Sequence, residues 1–474
     1  MTTTSRPPTT ATRRRWLGLG LIATAQFVAI MDTSIVGVAL PDMQAALGFT
    51  PETLTWVFNA YVIAFGGLLL LGGRLADVFG ARRMFIAGWA TLLGGSWIAG
   101  AATTAVVEVI GRAVQGAGAA LIAPAALSLL IALFGGTKDL PKAFAVYGAA
   151  APLGGTAGVF LGGVLTEFAS WQWVLYITIP IAAIVIALTP LALPAVEGQR
   201  GGRIGWVSAG IVTVGLAALV FGVVRGPEAG WGSTEVLVSI GGGLALMVLF
   251  VIVQRIARQP LLRLGLFRAP QLGAANVAQL LLGAAWVPMW FFLNLYLQEV
   301  LGAGAFLAGA ALLPMTLLIV IGMVALAPRL LARFGVRALV VSGLLLLGAG
   351  LVWLSLVSPD GTYVVDVLGG SLVAALGMAL AFVPSLGTAI SAAPMQESGV
   401  ASGLVNTSYQ IGSAIGLAAI TAVVAIAAGD GATDAALTNG YSAGFLTAGA
   451  VALVGALLAA ATFSRPEVGE KVSA

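Results

Sequence analysis

Apolar runs of roughly twenty residues, the length that crosses bilayer hydrocarbon as an α-helix, recur along the whole chain, separated by short polar stretches. They fall near residues 17–40, 54–75, 83–103, 106–133, 143–165, 172–193, 204–224, 236–255, 271–298, 305–327, 337–357, 364–389, 400–428 and 442–463. This pattern predicts an all-α integral membrane protein with fourteen transmembrane helices. The least regular run, 364–389, carries Asp366 near one end and Pro384 near the other.

The basic residues test the count, because cytoplasmic loops collect Lys and Arg. With the N-terminus inside, all but two of the 22 basic residues fall in inside segments. They include Arg13, Arg14 and Arg15; Arg74, Arg82 and Arg83; Lys138 and Lys142; and Arg329, Arg333 and Arg337. The exceptions are Arg225, outside, and Arg112, within a span. A missed span would break the alternation downstream, so both termini are expected in the cytoplasm and the protein in the cell (inner or plasma) membrane. The start, "MTTTSRPPTTATRRRW", has the basic character of a signal peptide. The run after it continues to Leu40 without an A-x-A-type cleavage site, which predicts an uncleaved first span behind a disordered tail.

Composition narrows the chemistry. Only 8% of the 474 residues are charged, against about 25% in soluble chains, which puts the chain in the bilayer. The net charge of +4 follows from loop topology and does not call for nucleic acid. There is no Cys and no His, which removes disulfides, thiolate chemistry, the usual zinc ligands and imidazole proton relays. No G-x-x-x-x-G-K-[ST] phosphate loop is present. No metal and no cofactor are expected, an enzyme is not expected, and a proton gradient is left as the energy source.

A repeat crosses the middle. "GRLADVFGAR", Gly73 to Arg82, aligns with "PRLLARFGVR", Pro328 to Arg337. Arg74, Leu75, Phe79, Gly80 and Arg82 meet Arg329, Leu330, Phe334, Gly335 and Arg337, but Asp77 meets Ala332. An even number of spans separates the copies, as a parallel repeat requires. Two six-helix halves with two helices between them satisfy that spacing. The expected organisation is a cytoplasmic tail at 1–15, a six-helix half at 16–200, two inserted helices at 201–258, a second half at 259–464 and a tail at 465–474.

Charges inside the runs mark candidate chemistry, since an intramembrane ionisable group costs several kcal/mol. Asp32 stands alone in "FVAIMDTSIVGVALPDM". Arg112 lies in the fourth run at a depth within about 5 Å of Asp32, at 1.5 Å per residue. The two could therefore meet; the alternative is that Arg112 snorkels outward to Glu108, one turn away. Gly154, Gly158 and Gly162 in "GGTAGVFLGG", with Gly163 beside them, form a small-residue stripe for close helix approach. Trp16, Trp171 and Trp173 sit where interfacial anchors belong. Tyr61, Trp286, Trp290, Phe291, Phe292 and Asn294 fall in mid-membrane and are candidates to line a cavity, although packing alone would also explain each of them.

These residues carry a resemblance. "MDTSIVGVALP" (Met31 to Pro41), "GGRLADVFGARR", "RAVQGAGAA" (Arg112 to Ala120), "YLQEVLGAGAFLAG" and "SGVASGLVNTSYQIGSAIG" together resemble the major facilitator superfamily, and within it the fourteen-helix drug:proton antiporter group. The chain departs from that pattern at Gly37, where the group has Asn, and at Val159, where its fifth-helix motif has Pro. The resemblance implies a proton-coupled exporter of hydrophobic, cationic small molecules, working as a monomer in the lipid bilayer. It implies proton and substrate handling by Asp32, Arg112 and Gln115 with Glu108 nearby. It also implies a cytoplasmic latch made by Gly73, Arg74, Asp77, Gly80, Arg82 and Arg83. Export of one endogenous metabolite, lipid or amino acid, and an uncoupled facilitator, are the alternatives.

Overall fold

The computed structural model describes residues 10–49, 51–54, 56–196, 198, 205–230, 232–257, 271–394, 397–429 and 433–464. Among them there is no β-strand. The first helices are α1 (Thr10–Leu47), α2 (Pro51–Leu54), α3 (Trp56–Phe79), α4 (Ala81–Gly100), α5 (Ala105–Phe134), α6 (Leu140–Phe168), α7 (Trp173–Tyr176) and α8 (Thr178–Ala192). Then come α9 (Trp206–Ala229), α10 (Thr234–Ile256), α11 (Leu272–Leu295), α12 (Ala305–Ala311) and α13 (Leu313–Ile321). The chain closes with α14 (Ala327–Leu354), α15 (Gly369–Ser391), α16 (Ser398–Ala428) and α17 (Asp434–Thr462). Wider π-helical turns occupy Tyr296–Val300, Gly322–Leu326 and Tyr363–Leu368.

Every expected apolar run has a helical counterpart, some of them in pieces. The run at 172–193 is divided between α7 and α8, and that at 305–327 among α12, α13 and a π-helical turn. Among the described residues, 11 helical segments have the length and apolarity to cross a membrane. One of these, Leu307–Leu354, is 48 residues long and spans two expected runs; the backbone breaks within it at Gly335, where φ is 76°.

One expectation needs correction. Residues 10–15, placed in a disordered tail, already belong to α1. The apolar run that follows lets the helix extend backwards through Arg13, Arg14 and Arg15, which are tolerable helix formers. Residues 1–9 and the tail at 465–474 lie outside the described residues, as do Arg200, Arg203 and the basic connector from Arg258 to Arg268.

By Cα proximity the chain forms two compact units. The first is Met1–Ile204 with Met395–Gly403; the second is Gly205–Pro394 with Leu404–Ala474. The inserted pair α9 and α10 thus falls in the second unit. Gly215 and Gly243 lie where the two helices come together, each with its missing Cβ directed at the other's backbone. Much of α10, including Leu237, Val238, Leu244, Val248 and Ile252, is exposed, as a lipid-facing surface would be.

Within the first unit, α1 and α6 pack along their length. A Cβ on Gly154, Gly158 or Gly162 would run into Phe27, Met31 or Ile35 respectively, at their carbonyl oxygens. Both glycines and carbonyls advance by four residues, so the stripe is a continuous backbone-to-backbone seam. Gly163, adjacent in sequence, would meet nothing within 4 Å. It points off the seam by about 100°, one residue's rotation in a helix of 3.6 residues per turn.

The internal repeat is visible in the backbone. Gly80 and Gly335, aligned in sequence, both take positive φ, 92° and 76°, a conformation that L side chains avoid. Each aligned arginine donates to a carbonyl at the end of a later helix. Arg82 Nη1 reaches Leu193 O at 3.3 Å, just past α8. Arg337 Nε and Nη2 reach Ala460 O at 3.1 and 2.6 Å, in the last turn of α17.

Candidate functional site

Four helices, α1, α3, α4 and α5, bring the site together. Asp32 comes from the middle of α1, Arg112 and Gln115 from one face of α5, and Ser96 from α4; all four residues are 0% exposed. Arg112 Nη1 donates to Asp32 Oδ2 at 2.5 Å and to Gln115 Oε1 at 2.6 Å. Its Nε donates to Val57 O, in the first turn of α3, at 2.9 Å. Gln115 Nε2 donates to Asp32 Oδ1 at 3.2 Å and to Ser96 Oγ at 2.8 Å. Both oxygens of Asp32 are therefore satisfied, one by a cation and one by an amide.

The Tyr61 ring lies under the guanidinium, with Arg112 Cζ 4.7 Å from its centroid. That is within cation–π range, an attraction of about 2 kcal/mol when desolvated. Tyr61 also stacks on Phe65 at 5.9 Å. It belongs to the charged cluster, which the sequence reading had not connected it with.

Apolar layers bracket the cluster along the helix axes. On one side Ile35, Val36, Ala39, Val57, Ala99, Trp171, Val174 and Leu175 pack together. On the other, Phe65, Leu69, Ala119, Ala120 and Ala123 pack with Tyr61. Charges held between such layers interact far more strongly than in water, and removing one partner of a buried pair costs about 3–5 kcal/mol.

Local sequence makes this geometry possible. Gly95 sits before Ser96, and a Cβ there would strike the Gln115 backbone and side chain at 2.6 and 2.8 Å. The glycine lets α4 come close enough for the serine hydroxyl to accept from Gln115. Likewise a Cβ on Gly116 would collide with the Tyr61 carbonyl, so this glycine brings α3 and its tyrosine against α5. Thr104 caps α5 by accepting from Val107 N at 3.4 Å.

The depth estimate thus holds for Asp32 and Arg112, and the guanidinium does not reach outward to Glu108. Glu108 is itself 0% exposed, and neither of its carboxyl oxygens has a hydrogen-bond partner among the described residues. Ser96 and the Val57 carbonyl are the members that sequence reasoning missed. The signal for Ser96 was a lone hydroxyl between a glycine pair and a tryptophan in an apolar run; for a backbone carbonyl there was none.

The loop motif forms a second polar site in the first unit. Asp77 accepts from Gly399 N at 2.9 Å and from Val400 N at 3.0 Å. These amides belong to the first turn of α16, where N–H groups lack intrahelical partners and the helix dipole favours an anion. A Cβ on Gly73 would collide with Gly399 O, so glycines at both places permit the approach. Arg74 is buried one turn before Asp77. Gly80 provides the turn before α4, Arg82 holds Leu193 O, and Arg83 is exposed. In the second copy Ala332 is exposed and offers no carboxylate.

The aromatic candidates on α11 do not form one surface. Trp286, Trp290 and Asn294, four residues apart, share a stripe; Phe291 and Phe292 leave it by about 100° and 200°. Phe291 is 44% exposed, whereas Phe292 is buried against Tyr441, with centroids 6.0 Å apart. The second unit instead buries neutral polar groups. Gln279 Nε2 donates to Ser385 Oγ at 3.0 Å, and Ser408 Oγ donates to Asn276 Oδ1 at 2.9 Å.

Comparison with known proteins agrees with this architecture. The chain is 39% identical over 441 residues to the cephamycin export protein of Amycolatopsis lactamdurans, covering 92% of this chain and 90% of that protein. It is 35% identical over 458 residues to the puromycin resistance protein of Streptomyces alboniger, covering 95% and 91%. Among solved structures, the human organic anion transporter MFSD10 superposes with a TM-score of 0.66 at 17% identity, covering 96% of this chain and 100% of that one. The Escherichia coli fucose:proton symporter gives 0.60 at 17% identity, with coverage of 96% and 100%. The family model described as Major Facilitator Superfamily matches residues 22–417, and the chain belongs to that superfamily of multi-pass membrane transporters.

Proposed function

We propose that this protein is a proton-coupled secondary exporter of hydrophobic, cationic small molecules, a multidrug efflux antiporter that confers antibiotic resistance. The observation that carries the reading is the water-excluded ion pair of Asp32 and Arg112, completed by Gln115. A transporter driven by protons needs a carboxylate that can be either paired or protonated, and a buried pair gives that choice. While Arg112 holds Asp32, the guanidinium balances the charge of the carboxylate. When the helices move and the pair opens, a proton or a cationic substrate is the remaining way to neutralise it. Proton and substrate then compete for one group, and each weakens the other's binding by the same factor.

The rest of the reading follows the sequence and the family. An even number of spans, fourteen by the apolar runs, would leave both termini on one side of the cell membrane, and the distribution of basic residues favours the cytoplasmic side. Neither ATP nor a cofactor is required, no reaction is catalysed, and the protein acts as a monomer in the bilayer without nucleic acid. Asp77 on the α16 amides acts as a conformational latch.

A second reading is export of one endogenous compound, such as a metabolite, lipid or amino acid. It is favoured by the relative that is named as the exporter of a single product, cephamycin. Inverted vesicles carrying the protein, given an inward-acidic pH gradient and a panel of hydrophobic cations including puromycin and ethidium, separate the two. Gradient-dependent accumulation of several unrelated cations supports multidrug efflux, and accumulation of one compound supports the dedicated exporter. Accumulation that survives collapse of the gradient would rule out proton coupling.

A further inference from the structure

Glu108 is the buried titratable group that the ion pair leaves unused. Its side chain is wholly enclosed, yet among the described residues both carboxyl oxygens lack a hydrogen-bond partner. One helical turn along α5, about 6 Å of rise, Arg112 Nη2 is also buried without a hydrogen-bond partner. The other two guanidinium nitrogens are engaged, Nη1 by Asp32 and Gln115 and Nε by Val57 O. One cation is therefore bonded to the carboxyl group of Asp32 and lies one helical turn from that of Glu108. The charged groups that act on Glu108 are Arg112 on its own helix and Asp32 on α1; the ring of Tyr61 on α3 lies against Arg112.

A carboxylate taken out of water with no hydrogen bond is so costly that such a group neutralises by keeping its proton. We propose, building on the antiporter reading, that Glu108 is a second proton carrier, and that Arg112 toggles between Asp32 and Glu108. In the arrangement described here, Asp32 is the carboxylate on the guanidinium and Glu108 is the acid. In the other, a proton has bound Asp32, the guanidinium has moved one turn to Glu108, and the Glu108 proton has left. Each arrangement holds one guanidinium, one carboxylate and one carboxylic acid. The cluster keeps zero net charge and one bound proton, so the exchange takes in one proton and gives out one. The position of Glu108 in the first turn of α5 suits this role, because a helix N-terminus favours the charged form when Arg112 arrives.

The test needs no substrate, so its failure is separable from failure of the transport reading. Infrared spectra of the purified full chain in lipid nanodiscs at neutral pH report protonated carboxyl groups through their C=O stretch. Wild type should show a protonated-acid signal that Glu108→Gln removes, with a loss equal to one carboxyl group. Asp32→Asn frees Arg112 for Glu108, so it should remove the same signal although Glu108 is still present. Asp32→Ser serves as the second variant should Asp32→Asn fail to give a monodisperse protein. A spectrum unchanged by Glu108→Gln overturns the protonated carrier. A signal that persists in both Asp32 variants overturns the toggle.

Discussion

Arg112 Nη1 lies 2.5 Å from Asp32 Oδ2, across the junction of α5 and α1, with neither side chain reaching solvent. Gln115 closes the triangle by donating to the other oxygen of Asp32 and accepting from the same guanidinium nitrogen. Every bond of this triangle is made between layers of Ile, Val, Leu, Ala and aromatic side chains. The three side chains are therefore bonded to one another in a water-excluded layer.

Removing half of the pair should cost more than removing all of it. Arg112→Ala leaves a buried carboxylate without its cation and should lower stability by about 3–5 kcal/mol. Arg112→Lys should recover little, because a single ammonium cannot reproduce the separate bonds of Nη1 and Nε. The double variant Asp32→Asn/Arg112→Ala should melt above Arg112→Ala alone. Thermal unfolding in detergent, followed by tryptophan fluorescence, checks the order. Additive losses in the double variant would mean that the two groups do not depend on each other.

The glycine seam separates neighbours sharply. Gly158→Ala places a methyl 2.7 Å from Met31 O, which forces α6 away from the helix that carries Asp32. Overpacking of this kind costs about 1–3 kcal/mol. Gly163→Ala, with nothing within 4 Å, should be neutral or slightly stabilising, since Ala is the better helix former. Melting temperatures of the two variants, measured side by side, decide the point; equal values would contradict the seam.

Asp77→Ala removes the acceptor of two amide bonds at the start of α16. Ligand binding should survive, while the resting equilibrium moves towards cytoplasmic opening. The chain has no Cys, so single cysteines introduced on each face report accessibility without background. Cytoplasmic labelling should speed up and external labelling slow down. Identical rates on both faces in the variant and its parent would remove the latch.

The sequence was most informative where one residue type has few physical uses. An Asp and an Arg at similar depth in hydrocarbon require a partner, and they found each other. Glycines every four residues predicted the α6 seam, and the aligned Gly80 and Gly335 both proved to need positive φ. What stayed hidden depends on how helices rotate about their own axes. Ser96, the Val57 carbonyl and the place of Tyr61 under Arg112 all follow from rotations that a linear pattern leaves free. The same freedom explains why Phe291 and Phe292, adjacent in sequence, part company with the stripe of Trp286, Trp290 and Asn294. The π-helical turns, such as Tyr296–Val300, alter the register by one residue without changing the apolar pattern, so hydropathy passes over them. Glu108 was read as a possible partner for Arg112 because of its spacing; that it would be enclosed yet unpartnered follows only from the packing of α5.

If outward transport is tied to protons through Asp32, removing the charge of that one side chain should abolish it. Asp32→Asn preserves the size of the side chain while removing its charge. The direct measurement is accumulation of a transported cation in acidified inverted vesicles, for wild type and Asp32→Asn at matched expression, with and without an uncoupler. Wild type should accumulate the cation until the uncoupler is added, and Asp32→Asn should stay at the level of empty vesicles while remaining folded and inserted. Accumulation by Asp32→Asn at the wild-type rate, abolished by the same uncoupler, would contradict the account.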